Sequence, residues 1–194
     1  MKKIPTLFQR LYDNGYAVGM SRKVTDGCEW VLKGEGIATE KVDGMCCAII
    51  GGKLYKRVIQ NVGKRLPAAE MIPCQFDPDP VTREMPYWVR VSEHNVGDKW
   101  LITAYNNAPW NRRDGTYEAV GKHFNANPYH LDADFLEEHG RIRIRNCPRD
   151  YDGLKRYLGS HQIEGIVFYR GNGEMCKIKR RDFGFPWPVF DYDD

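Results

Sequence analysis

Five positions in this chain combine residue types that handle phosphate chemistry. The run Glu40-Lys41-Val42-Asp43-Gly44 sets a lysine just ahead of an apolar stretch. Burying an ammonium is costly unless it is paired or deprotonated, and a lysine whose pKa is lowered by burial or neighbouring cations becomes a nucleophile. Asp43, two residues on, is expected to share the strand face of Lys41; a Lys–Asp turn pair is the plainer alternative. Glu118 stands in the otherwise apolar GTYEAVG, and Glu164 opens EGIVFY, an acid at the mouth of a buried strand. Lys177 and Lys179 alternate in CKIK, so a strand aims both ammoniums at one face. A carboxylate for a metal ion, cations for phosphate and a flat apolar wall for a base are what an Mg²⁺-nucleotide requires.

These residues need strands to position them. MCCAII (45–50) and KLYKRV (53–58) flank Gly51-Gly52, a two-residue hairpin signal. Pairing Ile50 with Lys53 sets Arg57 opposite Cys46. Residues 87–92, 100–105 and 116–121 read as further strands, and 163–169 with 174–180 as a second hairpin across Gly171-Asn172-Gly173. A three-residue turn there opposes Val167 to Lys177 and requires Gly165 to bend the strand at Glu164; a four-residue loop opposes Lys179 to Glu164 instead. Helical spacing predicts helices over 6–13 (Thr6 as N-cap, Gly15 as stop), 131–139 and 151–160. The Pro-rich stretch 73–86 reads as a loop and the terminal DYDD as a frayed end. Many antiparallel strands with a few helices indicate an α+β fold, antiparallel sheets flanked by helices.

The remaining composition narrows the class. A chain of 194 residues, 42% hydrophobic and 28% charged with a mean hydropathy of −0.60, fits one globular domain. No apolar run is long enough to span a bilayer, and MKKIPTLFQRLYDNG has no apolar signal region, so a cytoplasmic protein without membrane contact is expected. The net charge is only +3, but the positives cluster in RIRIR (Arg141, Arg143, Arg145) and KIKRR (Lys177 to Arg181). As strands these suit a row of phosphates or, equally, a charge-protected sheet edge. The six cysteines show no C-x-x-C pair, which argues against a structural zinc or a disulfide framework. The scattered histidines and serines fit no nucleophile–base pattern.

Taken in order, Lys41-Val42-Asp43-Gly44, Arg57, GTYEAVG, Glu164-Gly165-Ile166-Val167 and Lys177-Ile178-Lys179 resemble the motifs of the covalent nucleotidyltransferase superfamily, the ATP-dependent ligases and mRNA capping enzymes. The likeness covers residues 40 to about 188 as a single domain. The glutamate before the lysine and the Glu164-Gly165 opening look more like ligases than capping enzymes, and the stretches GTYEAVGKHFNANPYHL and KIKRRDFGFPWP are similar to small stand-alone RNA ligases. The resemblance implies an adenylation-type nucleotidyltransferase fold and an ATP-dependent RNA ligase. Lys41 would attack the α-phosphate of ATP and hold AMP as a phosphoramidate. Glu40 would meet the adenine edge, Arg57 and Glu118 the ribose, and Val167 one wall of the adenine slot. Glu164 would bind the catalytic Mg²⁺ or Mn²⁺, while Lys177 and Lys179 would neutralise the α-phosphate. His139, with Phe124 and Tyr129 behind it, is the candidate for the opposite wall, against a plain surface histidine. AMP would then pass to an RNA 5′-phosphate, to be displaced by a 3′-hydroxyl.

Larger relatives of that superfamily carry an OB-fold after the fifth motif, with a basic motif that orients pyrophosphate. Fifteen residues follow Lys179, too few for such a fold, so the resemblance leaves the pyrophosphate to the N-terminal segment, through Arg22, Lys23 or Lys33. GTP-dependent capping chemistry and a non-catalytic nucleotide- or nucleic-acid-binding module are the competing readings.

Overall fold

The computed structural model describes residues 1–14, 16–61, 63, 70–80, 82–107 and 113–189. The expected frayed end, 191–194, and the expected stop at Gly15 lie outside them. In chain order the elements are β1 (Phe8–Asp13), β2 (Tyr16–Val24), α1 (Glu29–Leu32), β3 (Ile37–Lys41), β4 (Met45–Ile50), β5 (Lys53–Asn61), β6 (Met71–Pro73) and β7 (Glu84–Arg90). There follow α2 (Lys99–Asn106), β8 (Gly115–Val120), β9 (Phe135–Glu138), α3 (Tyr151–Ser160), β10 (Gly165–Tyr169) and β11 (Met175–Lys179). The architecture is α+β, with every strand pair in its sheets antiparallel. Among the described residues, no helix is long and apolar enough to cross a membrane. The chain divides into two compact units, Ile4–Val42 with Gly140–Asp194, and Met1–Lys3 with Asp43–His139.

The first unit is built on a three-stranded sheet in the order β11-β10-β3. Both outer edges are covered. Thr6 bridges Lys177 in parallel, with Leu7 N–H donating to Lys177 O at 2.7 Å, while Arg143 bridges Thr39 on the far side of β3. Period-two alternation sorts the side chains. Ala38, Ile166, Phe168, Cys176 and Ile178 join a core with Leu7, Phe8, Trp30, Val31, Leu154 and Leu158, so Thr39, Lys41, Val167, Lys177 and Lys179 take the other face. The turn over 171–173 has the three-residue register, and Val167 opposes Lys177 as that register requires. Helix α3 forms as predicted, capped by Asp150, whose carboxylate accepts from Gly153 N–H at 2.9 Å.

The second unit carries a six-stranded sheet in the order β6-β7-β5-β4-β8-β9. The Gly51-Gly52 hairpin is present with Ile50 opposite Lys53, and both turn glycines have positive φ. Helix α2 packs Leu101 and Ala104 against Cys47, Tyr117, Ala119 and Leu136.

Four sequence expectations are corrected. Residues 6–13 form an edge segment and β1 rather than a helix. Leu7 and Phe8 are both buried, but Leu11 and Tyr12 are 50% and 64% exposed, so the apparent helical stripe has no core to face. Residues 100–105 are helical: Leu101 and Ala104 recur at helical spacing, which outweighs the strand preference of Ile102 and Thr103. Within 131–139, residues 135–138 pair with β8 as a strand, burying Leu136. Cys28 and Cys176 form a disulfide across 148 residues of sequence inside the first unit's core, where no disulfide was expected. More modestly, the Pro-rich stretch is flanked by β6 and β7, and RIRIR makes a single bridge to β3 rather than a full strand.

Two measurements check this fold. A Cβ on Gly165 would stand 2.3 Å from Ile178 O and 2.9 Å from Lys179 Cα, both backbone. Gly165→Ala should therefore cost about 1–3 kcal/mol in denaturant unfolding, as overpacking of a rigid site does; a neutral result contradicts the β10–β11 spacing. Thiol titration of the denatured, unreduced protein should find the four free cysteines Cys46, Cys47, Cys74 and Cys147, and two more after reduction.

Candidate active site

The first unit gathers the predicted nucleophile and four of its predicted partners, Glu164, Val167, Lys177 and Lys179, at one sheet face. Lys41 ends β3 and Glu164 sits one residue ahead of β10, where Glu164 O accepts from Arg180 N–H at 2.8 Å. The Glu164 carboxylate is 6% exposed and shared: Oε2 takes a short hydrogen bond from Lys41 Nζ, and Oε1 lies 3.2 Å from Lys179 Nζ. Gly165 opposes Lys179 across the ladder on one side and Lys41 on the other. The glycine lets the strands close up, so that one carboxylate reaches both ammoniums. Val167, 6% exposed, lies between Thr39 and Lys177 in register and supplies the apolar surface of this face.

Lys177 has a different environment. Among the described residues it has no carboxylate within ion-pairing distance. Burial, then the charges of Lys179, Lys41 and Arg10, lower its pKa to about 8, with Glu164 pulling weakly the other way. A lysine whose charge is disfavoured first by burial and then by neighbouring cations would gain from an anion at this face.

Glu40 is placed on the opposite side. It pairs with Ile166 in the ladder, on the alternation shared with Ala38 and Phe168, and its charge acts on Tyr157 of α3. Its main-chain N–H donates to Ile142 O at 2.8 Å. Asp43 does not continue the face of Lys41, because β3 ends at Lys41. In the second unit, Asp43 N–H donates to Tyr129 Oη at 2.7 Å and its carboxylate accepts from Asn125 at 2.8 Å. Gly44 is required there, since a Cβ would meet Ala119 O at 2.1 Å.

Arg57 and Glu118 also belong to the second unit. Arg57 Nε donates to Met1 O at 2.9 Å. Glu118 opposes Cys46 on β4, and its Oε2 lies 2.8 Å from His139 Nε2. His139 is therefore neither a helix-terminal residue nor a surface one; it follows β9, 14% exposed, with Nδ1 buried and without a hydrogen-bond partner. Phe124 lies in the unit's core. Cys46, Glu118 and His139 place donor atoms within 4.8 Å of one another, a set that a borderline divalent cation accepts. Burial, and then the Glu118 charge, push the Cys46 thiol up to about 12, which opposes its use as a thiolate.

Sequence reading missed Arg10 and Asp182. Arg10 Nε and Nη2 lie 3.0 and 2.8 Å from Asp182 Oδ1, and Asp182 Oδ2 accepts from Lys179 N–H at 2.8 Å. Nothing in either residue's local sequence marks this pairing, which spans 172 positions. Arg22, the expected phosphate contact, is instead committed to Asp152 through two hydrogen bonds of 2.8 and 2.7 Å.

An antiparallel α+β chain with a lysine and a second cation sharing one buried glutamate, beside a charge-depressed lysine, has the equipment of a protein that handles phosphorylated ligands. Comparison with known proteins carries this further: the family model described as RNA ligase 1 matches residues 91–193, more than half of the chain, and the chain belongs to that family. The match includes Glu118, Glu164, Val167, Lys177 and Lys179; Lys41 lies ahead of it and joins it through β3–β10 pairing. The RNA ligase 1 of Rattus norvegicus is 38% identical over 85 residues, covering 39% of this chain and 26% of the relative. That of Pongo abelii is 36% identical over 110 residues, covering 52% and 34%. The matched region thus spans about a quarter to a third of the relatives' own length.

The charge on Lys177 has a measurable consequence. Its folded pKa of about 8 lies below the ordinary 10.5, so the unfolded chain binds more protons between these values. Stability from this group therefore rises with pH across that window and is lowest below pH 8. Lys177→Met should stabilise the unliganded protein at pH 7 by about 1–2 kcal/mol, the full per-unit value discounted for screening. The advantage should vanish by about pH 10.5. Denaturant unfolding at pH 7 and pH 10.5 checks it; a destabilised variant at pH 7 contradicts the like-charge crowding.

Proposed function

We propose that this protein acts as an ATP-dependent RNA ligase on an adenylation-type nucleotidyltransferase fold, joining RNA 5′-phosphate and 3′-hydroxyl ends through a lysyl-AMP and an adenylylated 5′ end. One observation carries the reading: the Glu164 carboxylate holds Lys41 and Lys179 together on the face that also bears Lys177 and Val167. The family's printed name and the ordered motifs support it.

On this reading Lys41 Nζ gives up its proton to solvent before attack, which leaves the Glu164 carboxylate ionised for the metal. Its lone pair forms a bond to the α-phosphorus of ATP as the bond to the β-phosphate oxygen breaks, and pyrophosphate departs with that electron pair. Lys177 and Lys179 stand over the α-phosphate oxygens as charge develops on them. Val167 packs on the adenine; the contact of Glu40 with the base edge rests on the resemblance alone, since by strand alternation its side chain lies on the opposite face. For Arg57 and Glu118 the ribose contacts rest on the resemblance alone. Mg²⁺ fits the donor set, since it commonly takes one or two carboxylates plus substrate phosphates and water, and Glu164 is the buried carboxylate on this face. When bound it would draw charge from the phosphates, and Mn²⁺ would do the same.

Incubation with α-labelled ATP and Mg²⁺ should leave an acid-labile label on the denatured protein. Lys41→Ala should abolish it, and Lys179→Ala should lower its rate by roughly 10²–10³-fold, the scale of losing one charge-stabilising donor. Label on the Lys41→Ala protein sinks the reading. Preferential labelling by GTP points to capping chemistry, and salt-sensitive RNA binding without any covalent nucleotide points to a binding module.

A further inference from the structure

Strand pairing in the second unit gathers three metal-ligating side chains at one sheet face. Cys46 on β4 opposes Glu118 on β8, and Glu118 opposes Glu137 on β9, so His139, two residues on, shares their alternation. The neighbouring positions Cys47, Tyr117, Ala119 and Leu136 take the other face, in the core with Leu101 and Ala104 of α2. His139 N–H donates to Thr116 O at 3.1 Å, which fixes the main chain just beyond β9. All three donors are therefore set by paired backbone, the kind of support that keeps a coordination sphere in shape.

Their sulfur, carboxylate oxygen and ring nitrogen atoms lie within 4.8 Å of one another. Donors about 2.0–2.3 Å from one tetrahedral zinc ion stand roughly 3.3–3.6 Å apart, so small side-chain rotations bring this set onto a single ion. Glu118 is nearly buried, and its Oε2 lies 2.8 Å from His139 Nε2. His139 Nδ1 is buried without a hydrogen-bond partner among the described residues, and such an orphaned atom calls for an ion or a water. Either ring nitrogen of a neutral histidine can ligate.

The donor types choose the ion. Thiol, imidazole and carboxylate together suit Zn²⁺, whereas Mg²⁺ prefers hard oxygen donors. Without a cation the Cys46 thiol keeps its proton. On coordination the S–H bond breaks, the proton leaves to solvent, and the sulfur electron pair bonds to the metal. Three protein ligands leave a fourth tetrahedral position for water, as in zinc sites that exchange ligands.

We propose that Cys46, Glu118 and His139 form a binding site for Zn²⁺ or a similarly thiophilic dication, with a donor set unlike that of the Mg²⁺ carboxylate Glu164. Ion binding stands on the donor set alone. Its consequence rests on the ligase reading: the resemblance gives Glu118 to the ribose, and an ion that takes this carboxylate withdraws it from the nucleotide. Zn²⁺ then inhibits the adenylylation that Mg²⁺ supports.

Co²⁺ substitutes for Zn²⁺ at such sites and reports a thiolate ligand by a near-ultraviolet charge-transfer band. Titration with Co²⁺, followed by displacement with Zn²⁺, is compared for the parent protein, Cys46→Ser, His139→Ala and the control Cys74→Ser. The parent should bind one equivalent with a thiolate band that Zn²⁺ removes. Absence of that band overturns the site whatever the variants do. Cys46→Ser should lose the band, and it and His139→Ala should weaken Zn²⁺ by more than the roughly 10–100-fold typical of an outer-sphere partner. Cys74→Ser should match the parent; a band that survives Cys46→Ser but not Cys74→Ser overturns the assignment. With Mg²⁺ in excess, the Zn²⁺ that halves label transfer from α-labelled ATP should rise at least about tenfold in Cys46→Ser, each protein taken relative to its own zinc-free rate. Equal inhibition of both proteins overturns the inhibitory role. If the parent takes no label, the ligase reading fails by itself, and the Co²⁺ and Zn²⁺ titrations still decide the ion site.

Discussion

Glu164 carries the charge balance of the sheet face on which Lys41, Lys177 and Lys179 converge. Two ammoniums about 6 Å apart repel by roughly 3 kcal/mol at an effective dielectric near 20, before desolvation is counted. That is a sizeable part of the stability of a domain of this size. A single carboxylate bonded to Lys41 and Lys179 offsets much of that repulsion, whereas Lys177, with no such partner among the described residues, has its pKa lowered by burial and then by the neighbouring cations. The arrangement persists because the opposite face of the same three strands is a continuous core, from Ala38 through Phe168 to Ile178. Hydrophobic burial on one face holds the charge conflict on the other.

Several features make that face rigid. β3 is paired on one edge by β10 and touched on the other by residues 142–144, so Lys41 projects from a strand with neighbours on both sides. β11 is bounded by β10 and by the Pro5–Leu7 backbone, and Cys176, one residue ahead of Lys177, is bonded to Cys28. Gly165 removes the one Cβ that would force β10 away from β11. Each device acts on backbone position, which is what a carboxylate reaching two ammoniums depends on.

How far the sequence foretold this follows from the range of the interactions involved. Period-two alternation in MCKIK and the turn over 171–173 are local, and both were legible, as was the Gly51-Gly52 hairpin. Segments whose partners are remote were not. Leu7 and Phe8 look helical until β11 is seen to hold the backbone of Leu7 and β2 that of Phe8, and the acidic FLEE run looks helical until β8 pairs with it. Ile102 and Thr103 suggest a strand, yet Leu101 and Ala104 anchor a helix on the second unit's sheet. The Cys28–Cys176 bridge and the Arg10–Asp182 pair join positions 148 and 172 residues apart, and neither leaves a spacing that could be read in one chain.

The pairing that stabilises the unliganded face also restrains it chemically. A lysine whose ammonium is hydrogen-bonded to a buried carboxylate is held in its charged, non-nucleophilic form, because the partner favours the proton's retention. Activation must therefore change partners rather than merely bring a substrate near. On the proposed reading, an incoming phosphate gives Lys179 and Lys177 a further acceptor, so that Glu164 no longer balances two ammoniums by itself. Lys177 gains most, since it alone among the three has no carboxylate at ion-pairing distance among the described residues. On the proposed reading, the ligand that relieves the charge conflict is the one that Lys41 attacks, which would tie nucleotide binding to the charge balance around one glutamate side chain.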